Sequence, residues 1–431
     1  MATAQKCTTL VVFALLAEAA TTSISAGGGG EACRQAAEAA AFGTQPKFVA
    51  AKASPWPVGP MAGRPVVGDV NSDGHADIVV ACGTCCGSQP DPNSGHICTL
   101  LGDGTGMFKA AAGSPIKVGP SVRKLALGDI TGDKALDIVA AEHDSHDLTV
   151  LMGDGTGKFT KRAGSGGSAP CVMNGPIKNP ADGSMGMPRA HTHEVALADV
   201  NADGRVDILA TTVSGHGVAS LLNSTDGSFA HAAGSPFRMR TPYDAIATGD
   251  MNGDGKIDIV IPSIAGSEID IMLGDGQGAF AQVPGSPFKI GERPGYVAVG
   301  DCNGDGRLDV FATHDDVAIV DILLNDGTGQ LAPAPGSPIQ VKTDGFFWGI
   351  APADFNADGH LDLALGNAAT NQVTLLLGNG KGAFKPSETD IRTGNGAGYV
   401  TAADVNADGR IDLITGNYNS GDVTILLATD K

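Results

Sequence analysis

The chain has 431 residues, 42% of them hydrophobic, with 62 glycines, 5% aromatics and a formal charge of -19. This is a composition of short strands and tight turns, poor in the Lys, Glu and Leu that mark helical proteins. Only 28 Lys and Arg residues, without basic clusters, exclude phosphate-neutralising nucleic-acid binding, and β-branched runs with a mean hydropathy near zero exclude a disordered acidic chain.

In chain order, Lys6, the apolar stretch Leu10 to Ala17 and the small residues up to Ala26 have the outline of a secretory signal over residues 1–26. Residues 27–45 read as a linker, and 46–431 as one repeat domain. No later segment is apolar for long enough to be a membrane-spanning helix, so a secreted or periplasmic protein is expected. Lys47 to Gly59 reads as an isolated strand that belongs to no complete unit before the first repeat. Then a nine-residue pattern, D-x-N-x-D-G-x-x-D, begins at Asp69, Asp129, Asp199, Asp250, Asp301, Asp354 and Asp404. The starts lie 60, 70, 51, 51, 53 and 50 residues apart, a unit suited to one four-stranded propeller blade. The two long intervals hold insertions, one around Cys82 to Cys98 and one from Gly164 to Pro188.

The fourth unit shows the strand pattern. Ala245 to Gly249 leads into the acidic motif, Ile259 to Pro262 leaves it, Ile269 to Leu273 is a third run and Phe280 to Ile290 a fourth. Gly274 to Gly278 between the last two is a hairpin turn. The first strands carry small residues three and one places before each motif, as at Ala126 and Gly128 or Ala298 and Gly300, which lets backbones crowd about an axis. The last unit ends at Val423 to Leu427, a third strand with no fourth after it. The isolated N-terminal strand is therefore expected to complete the last blade, closing an all-β, seven-bladed β-propeller.

Eight cysteines are present. Cys7 lies in the presumed signal and Cys302 inside a repeat motif. Cys33, Cys82, Cys85, Cys86, Cys98 and Cys171 form an even set suited to disulfides in an oxidising compartment, or, for Cys82, Cys85, Cys86 and Cys98, to zinc.

These motifs and their recurrence resemble the FG-GAP or VCBS repeat family, the propeller repeats also found in integrin α-chain heads. That resemblance implies a calcium ion in the loop between the first and second strands of a blade. The donors agree: hard Ca²⁺ takes six to eight oxygens, and alternating Asp, Asn and Asp on a tight loop can converge on one. The first site is assigned Asp69, Asn71, Asp73 and Asp77 with the carbonyl of His75. The same assignment carries to Asp199, Asn201, Asp203, Arg205 and Asp207, and to Asp250, Asn252, Asp254, Lys256 and Asp258. It carries also to Asp301, Asn303, Asp305, Arg307 and Asp309; to Asp354, Asn356, Asp358, His360 and Asp362; and to Asp404, Asn406, Asp408, Arg410 and Asp412. The second motif keeps Asp129, Asp133 and Asp137, but Thr131 and Lys134 replace Asn and Gly, and weak or absent binding is expected there. An EF-hand is excluded, because the twelfth residues, such as Val80, Ala210 and Leu365, are not Glu. The seven motifs contain 21 of the 47 acidic residues, so filled loops would also relieve the net charge.

A ligand is expected on the face opposite the acidic loops. Starts of first strands there contribute Arg123, Lys124, His193, Glu194, Tyr243, Tyr296, Trp348 and Tyr399; loops contribute His143, His146, His216, His314, Asp315 and Asp316. The aromatics can stack on a ligand or plug the channel. The leading expectation is a monomeric, noncatalytic recognition or adhesion module for a glycan or an extracellular protein. The alternatives are a lyase-like polysaccharide enzyme using His193, Arg123 or Tyr296, and a structural element of a larger surface assembly.

Overall fold

The computed structural model describes residues 41–83, 95–119, 122–142, 147–162, 192–212, 217–239, 245–263 and 266–430. The presumed signal, Cys33, Cys85, Cys86, Cys171, His143, His146, His216 and Tyr243 lie outside them. Gln45–Lys431 forms one compact unit, and every described element in it is a strand.

Seven antiparallel sheets form the unit. Their inner strands are Val66–Gly68, Val122–Gly128, Thr192–Ala198, Ala247–Gly249, Pro294–Gly300, Phe347–Ala353 and Ala397–Ala403, and they define blades 1 to 7. Each inner strand touches the next, and the first touches the last, so the sheets form a closed ring. Blade 7 is completed from the other end of the chain: Lys47–Ala50 pairs with Asp422–Thr429 in the register Lys47 to Thr429 and Ala50 to Leu426. The edge that blade 7 would otherwise expose is thereby paired.

Six of the second strands are buried along their whole length, as in Asp77–Cys82 and Asp309–His314. They read as unbroken apolar runs because both faces are covered, each blade packing its neighbours. One apolar layer unites Val79, Ala81 and Ile97 of blade 1 with Leu125, Ile138 and Leu151 of blade 2; another unites Phe311 and Ile322 of blade 5 with Ile350, Leu363 and Leu365 of blade 6. The small residue ending an inner strand has a specific cause. A Cβ on Gly68 would lie 2.8 Å from Leu136 Cδ1, and one on Gly300 2.7 Å from Leu361 Cδ2, in each case a leucine of the next blade.

The outer edge departs from the sequence reading. The single fourth run in blade 4 is two strands, Phe280–Gln282 and Phe288–Lys289, both paired to Glu268–Gly274. Gly285 at φ 92° and the cis Ser286–Pro287 bond turn the chain out between them. The Ile271 N–H left unpaired by the detour donates instead to Ser286 Oγ at 3.1 Å. The same device recurs at Ser54, Ser114, Ser235 and Ser337, each followed by a cis proline and each hydroxyl accepting a backbone N–H.

Candidate functional site

Each acidic loop is a self-bonded turn at one end of the ring. In the first, Asp69 Oδ1 accepts the Asp73 N–H at 3.1 Å and Oδ2 the Gly74 N–H at 2.9 Å; Asn71 Oδ1 accepts the Asp73 N–H at 3.0 Å and Asp73 Oδ1 the His75 N–H at 2.9 Å. The ninth residue does something different. Asp77, fully buried, accepts the Val70 N–H at 2.9 Å and the Gly102 N–H at 2.8 Å, tying the loop to the third strand. Asp137, Asp207, Asp258, Asp309, Asp362 and Asp412 repeat this in their blades. Burial pushes all seven carboxyls above the ordinary range, adjacent carboxylates of the loop add to the push, and the backbone donors oppose it; Asp362 reaches about 7 and Asp412 about 6.

Asp358 Oδ2 in the sixth loop is buried and has no hydrogen-bond partner among the described residues. An orphaned carboxylate oxygen beside two further carboxylates is costly without a positive charge. In the first, third, fifth and seventh loops the same oxygen accepts the Nδ2–H of the third-position asparagine, Asn71, Asn201, Asn303 and Asn406, and basic side chains at the seventh position add a charge in four loops: Arg410 Nη2 lies 2.7 Å from Asp408 Oδ2, Lys256 Nζ 3.1 Å from Asp254 Oδ2, Arg307 Nη1 3.7 Å from Asp305 Oδ2, and Arg205 contacts Asp203. In the sixth loop His360 takes no such contact among those described, and its N–H bonds Asp358 Oδ1 at 2.9 Å. The all-oxygen side-chain set of Asp354, Asn356, Asp358 and Asp362 suits a hard cation.

The second loop keeps the turn despite Lys134. Asp129 Oδ2 still accepts the N–H of residue 134 at 2.8 Å, and Lys134 adopts φ 75°, the left-handed conformation that glycine occupies in the other six loops.

At the other end of the inner strands, the sequence candidates converge. Tyr296 of blade 5 and Tyr399 of blade 7 meet edge to face with ring centroids 6.2 Å apart, and Trp348 of blade 6 lies 5.9 Å from Tyr399 and 5.6 Å from Tyr418. Gly398 makes room for the indole, since a Cβ there would lie 2.3 Å from Trp348 Cε3. Lys124 of blade 2 extends its ammonium to 4.5 Å from the Tyr296 ring and 5.5 Å from the Tyr399 ring, and pairs with Glu194 of blade 3 at 2.7 Å. Lys124 and Glu194 are buried. Contacts among blades 2, 3, 5, 6 and 7 must cross the middle of the ring, so this cluster fills the axis. Trp348, Tyr418 and Phe346 are half-exposed on it. His193 lies in the inner strand of blade 3 and is half-buried, and Arg123 lies in that of blade 2.

Two features escaped the sequence reading. Between blades 5 and 6 an outer groove of about 390 Å³ is lined by Gln340, Lys342, Thr343, Gln372, Thr389 and Asp390 among others. And Cys82 and Cys98, expected in a loop, are buried strand residues carrying free thiols, with His96 beside them. Among the described residues no helix is long and apolar enough to cross a membrane.

Comparison with known proteins agrees with the architecture. Human cartilage acidic protein 1 is 29% identical over 203 residues, 44% of this chain and 28% of that protein; its Xenopus tropicalis counterpart is 28% identical over 202 residues, with the same shares covered. The chain thus spans less than a third of the length of the curated relatives it matches. The periplasmic gluconolactonase of Pseudomonas aeruginosa superposes with a TM-score of 0.55 at 13% identity, over 75% of this chain and 84% of that one, a likeness of fold alone. The FG-GAP-like repeat pattern matches residues 69–140, 199–261, 301–365 and 354–415. With acidic loops recurring in all seven blades of a closed ring, the chain belongs to the FG-GAP-like repeat family.

Proposed function

We propose that this chain is an exported, calcium-stabilised propeller that recognises a glycan or an extracellular protein without catalysing a reaction. The observation that carries the calcium reading is the orphaned, buried Asp358 Oδ2 in a loop whose donors are all oxygen. In each of six loops the first, third, fifth and ninth side chains and the carbonyl of the seventh residue would hold the ion. When bound, the ion supplies positive charge to carboxylates that burial otherwise drives toward the neutral acid. The chain's own part is already built: the ninth aspartate clamps the loop to the third strand, so ordering the loop and ordering the blade are one event.

Recognition is supported by the half-exposed Trp348, Tyr418 and Phe346 at the end opposite these loops, aromatic surfaces held rigid by their mutual packing. The names of the relatives refer to cartilage, which favours a setting outside the cell.

Calcium stoichiometry and thermal unfolding with and without chelator test the first half. About six ions per chain and a large loss of Tm on chelation are expected. Asp358→Asn keeps the Oδ1 that accepts the His360 N–H but removes the charge; it should bind one ion fewer and lose Tm only when calcium is present. No calcium uptake, or an Asp358→Asn variant with full stoichiometry, refutes the assignment. For the second half, glycan and protein arrays should give saturable binding that Trp348→Ala abolishes while calcium binding is retained.

A further inference from the structure

Beside the hard-oxygen loops, the described residues hold a cluster of soft donors. Cys82 ends the second strand of blade 1, and the register sets it opposite His96, while Cys98 follows two residues on in the third strand, His96–Gly102. The ligand atoms of Cys82, His96 and Cys98 all lie within 4.8 Å of one another. Both cysteines are buried and His96 is half-buried. The chain arriving from blade 7 crosses directly over them. The Val58 carbonyl oxygen stands 2.9 Å from Cys98 Sγ and 3.1 Å from His96 Nε2, and a Cβ on Gly59 would lie 2.3 Å from His96 Nε2.

Other blades show what these positions ordinarily do. The last residue of the second strand and the third residue of the third strand are Glu142 and Thr149 in blade 2, His314 and Asp321 in blade 5, and Asn417 and Thr424 in blade 7. In each, one member takes a backbone N–H from the arriving segment: Gly119 to Glu142 at 2.9 Å, Gly291 to Asp321 at 3.1 Å, Gly394 to Thr424 at 3.0 Å. In blade 1 the arriving Gly59 N–H goes elsewhere, to the Gly421 carbonyl at 3.0 Å. Two thiols and an imidazole have replaced the oxygen acceptors, and the backbone bond they would have received is made by another partner.

We infer that Cys82, His96 and Cys98 form a zinc site, roofed by the Val58 carbonyl and separate from the calcium loops. Two sulfurs and an imidazole nitrogen are the donors Zn²⁺ prefers and Ca²⁺ avoids. Bond lengths of about 2.0–2.3 Å place tetrahedral donors roughly 3.5 Å apart, so the cluster needs only to contract slightly. Binding releases the thiol protons to solvent and forms two Zn–S bonds and one Zn–N bond, with no change of oxidation state.

The test uses the full chain, isolated anaerobically from its own compartment without added reductant and equilibrated with equimolar Zn²⁺ in excess calcium. One zinc per chain should be retained, and Co²⁺ in its place should give a thiolate-to-cobalt charge-transfer band. Cys82→Ser/Cys98→Ser should lose both signals, and His96→Gln should weaken zinc affinity at least tenfold. All variants should keep the calcium-dependent Tm, which separates loss of the site from loss of the fold. Zinc retained by the double serine variant, no zinc retained by the wild type, or a Cys82–Cys98 disulfide found by mass spectrometry would each overturn the assignment.

Discussion

Lys134 stands where the other six acidic loops have glycine, and the loop accommodates it without changing shape. Its φ of 75° is close to the 80° to 85° of Gly74, Gly204, Gly255, Gly306, Gly359 and Gly409. A side chain in that conformation crowds its own carbonyl, so Lys134→Gly is expected to raise stability by about 1 kcal/mol in denaturant unfolding. A fall would mean that the ammonium contributes more than the strain costs. His314 is fully buried, with Nε2 2.8 Å from Asp321 Oδ2 and Nδ1 2.6 Å from the Glu292 carbonyl. Burial pulls the imidazole down, but these two bonds and the charges of Asp321 and Asp316 leave it above its ordinary 6.5. A histidine raised in the folded state stabilises fully below 6.5 and loses that contribution as pH rises through the raised value. His314→Gln should therefore cost about 2–3 kcal/mol in mildly acidic solution and progressively less toward alkaline pH. A gap in stability that does not vary with pH would show that the pair is not charged.

The ring closes on short strands reinforced by aromatic contacts: Phe48 of Lys47–Ala50 meets Phe355 edge to face at 6.4 Å. Trp56, in the two-residue strand Trp56–Pro57 paired to Val423 and Asp422, packs edge to face on Phe108 of blade 1 at 5.5 Å. Trp56→Ala should cost about 3 kcal/mol, with the loss appearing mainly as faster unfolding in stopped-flow measurements if closure is a late event. The closing strand was legible in the chain because the last repeat lacks a fourth strand and Lys47 to Gly59 lacks a partner. The acidic loops were legible because three carboxylates recur at fixed offsets. The broken outer strands were not read, although Gly-Ser-Pro recurs at 113–115, 234–236, 285–287 and 336–338, because the serine's bond to the third strand is visible only once the register is known. His96 was missed for the same reason: nothing around it in sequence marks it, and only the pairing with Cys82 brings it to the thiols.

In the whole molecule, the axis is held by a charge pair as well as by rings. Lys124 and Glu194 are 70 residues apart in sequence and both buried, so removing one partner strands the other. Lys124→Met is expected to cost about 3–5 kcal/mol, and Lys124→Met/Glu194→Leu to recover most of it, as measured by thermal unfolding at fixed calcium. Equal losses in both variants would assign the effect to packing around Tyr296 and Tyr399 instead of charge. A repeat protein whose units touch only their neighbours can fray from any seam, and its stability is a sum over adjacent pairs. Here Lys124 joins blade 2 to rings from blades 5 and 7, which do not adjoin it, so the centre works as a keystone does in an arch. Loosening any one of these blades releases the support of the others, and the ring should come apart in a single cooperative step rather than unzip blade by blade.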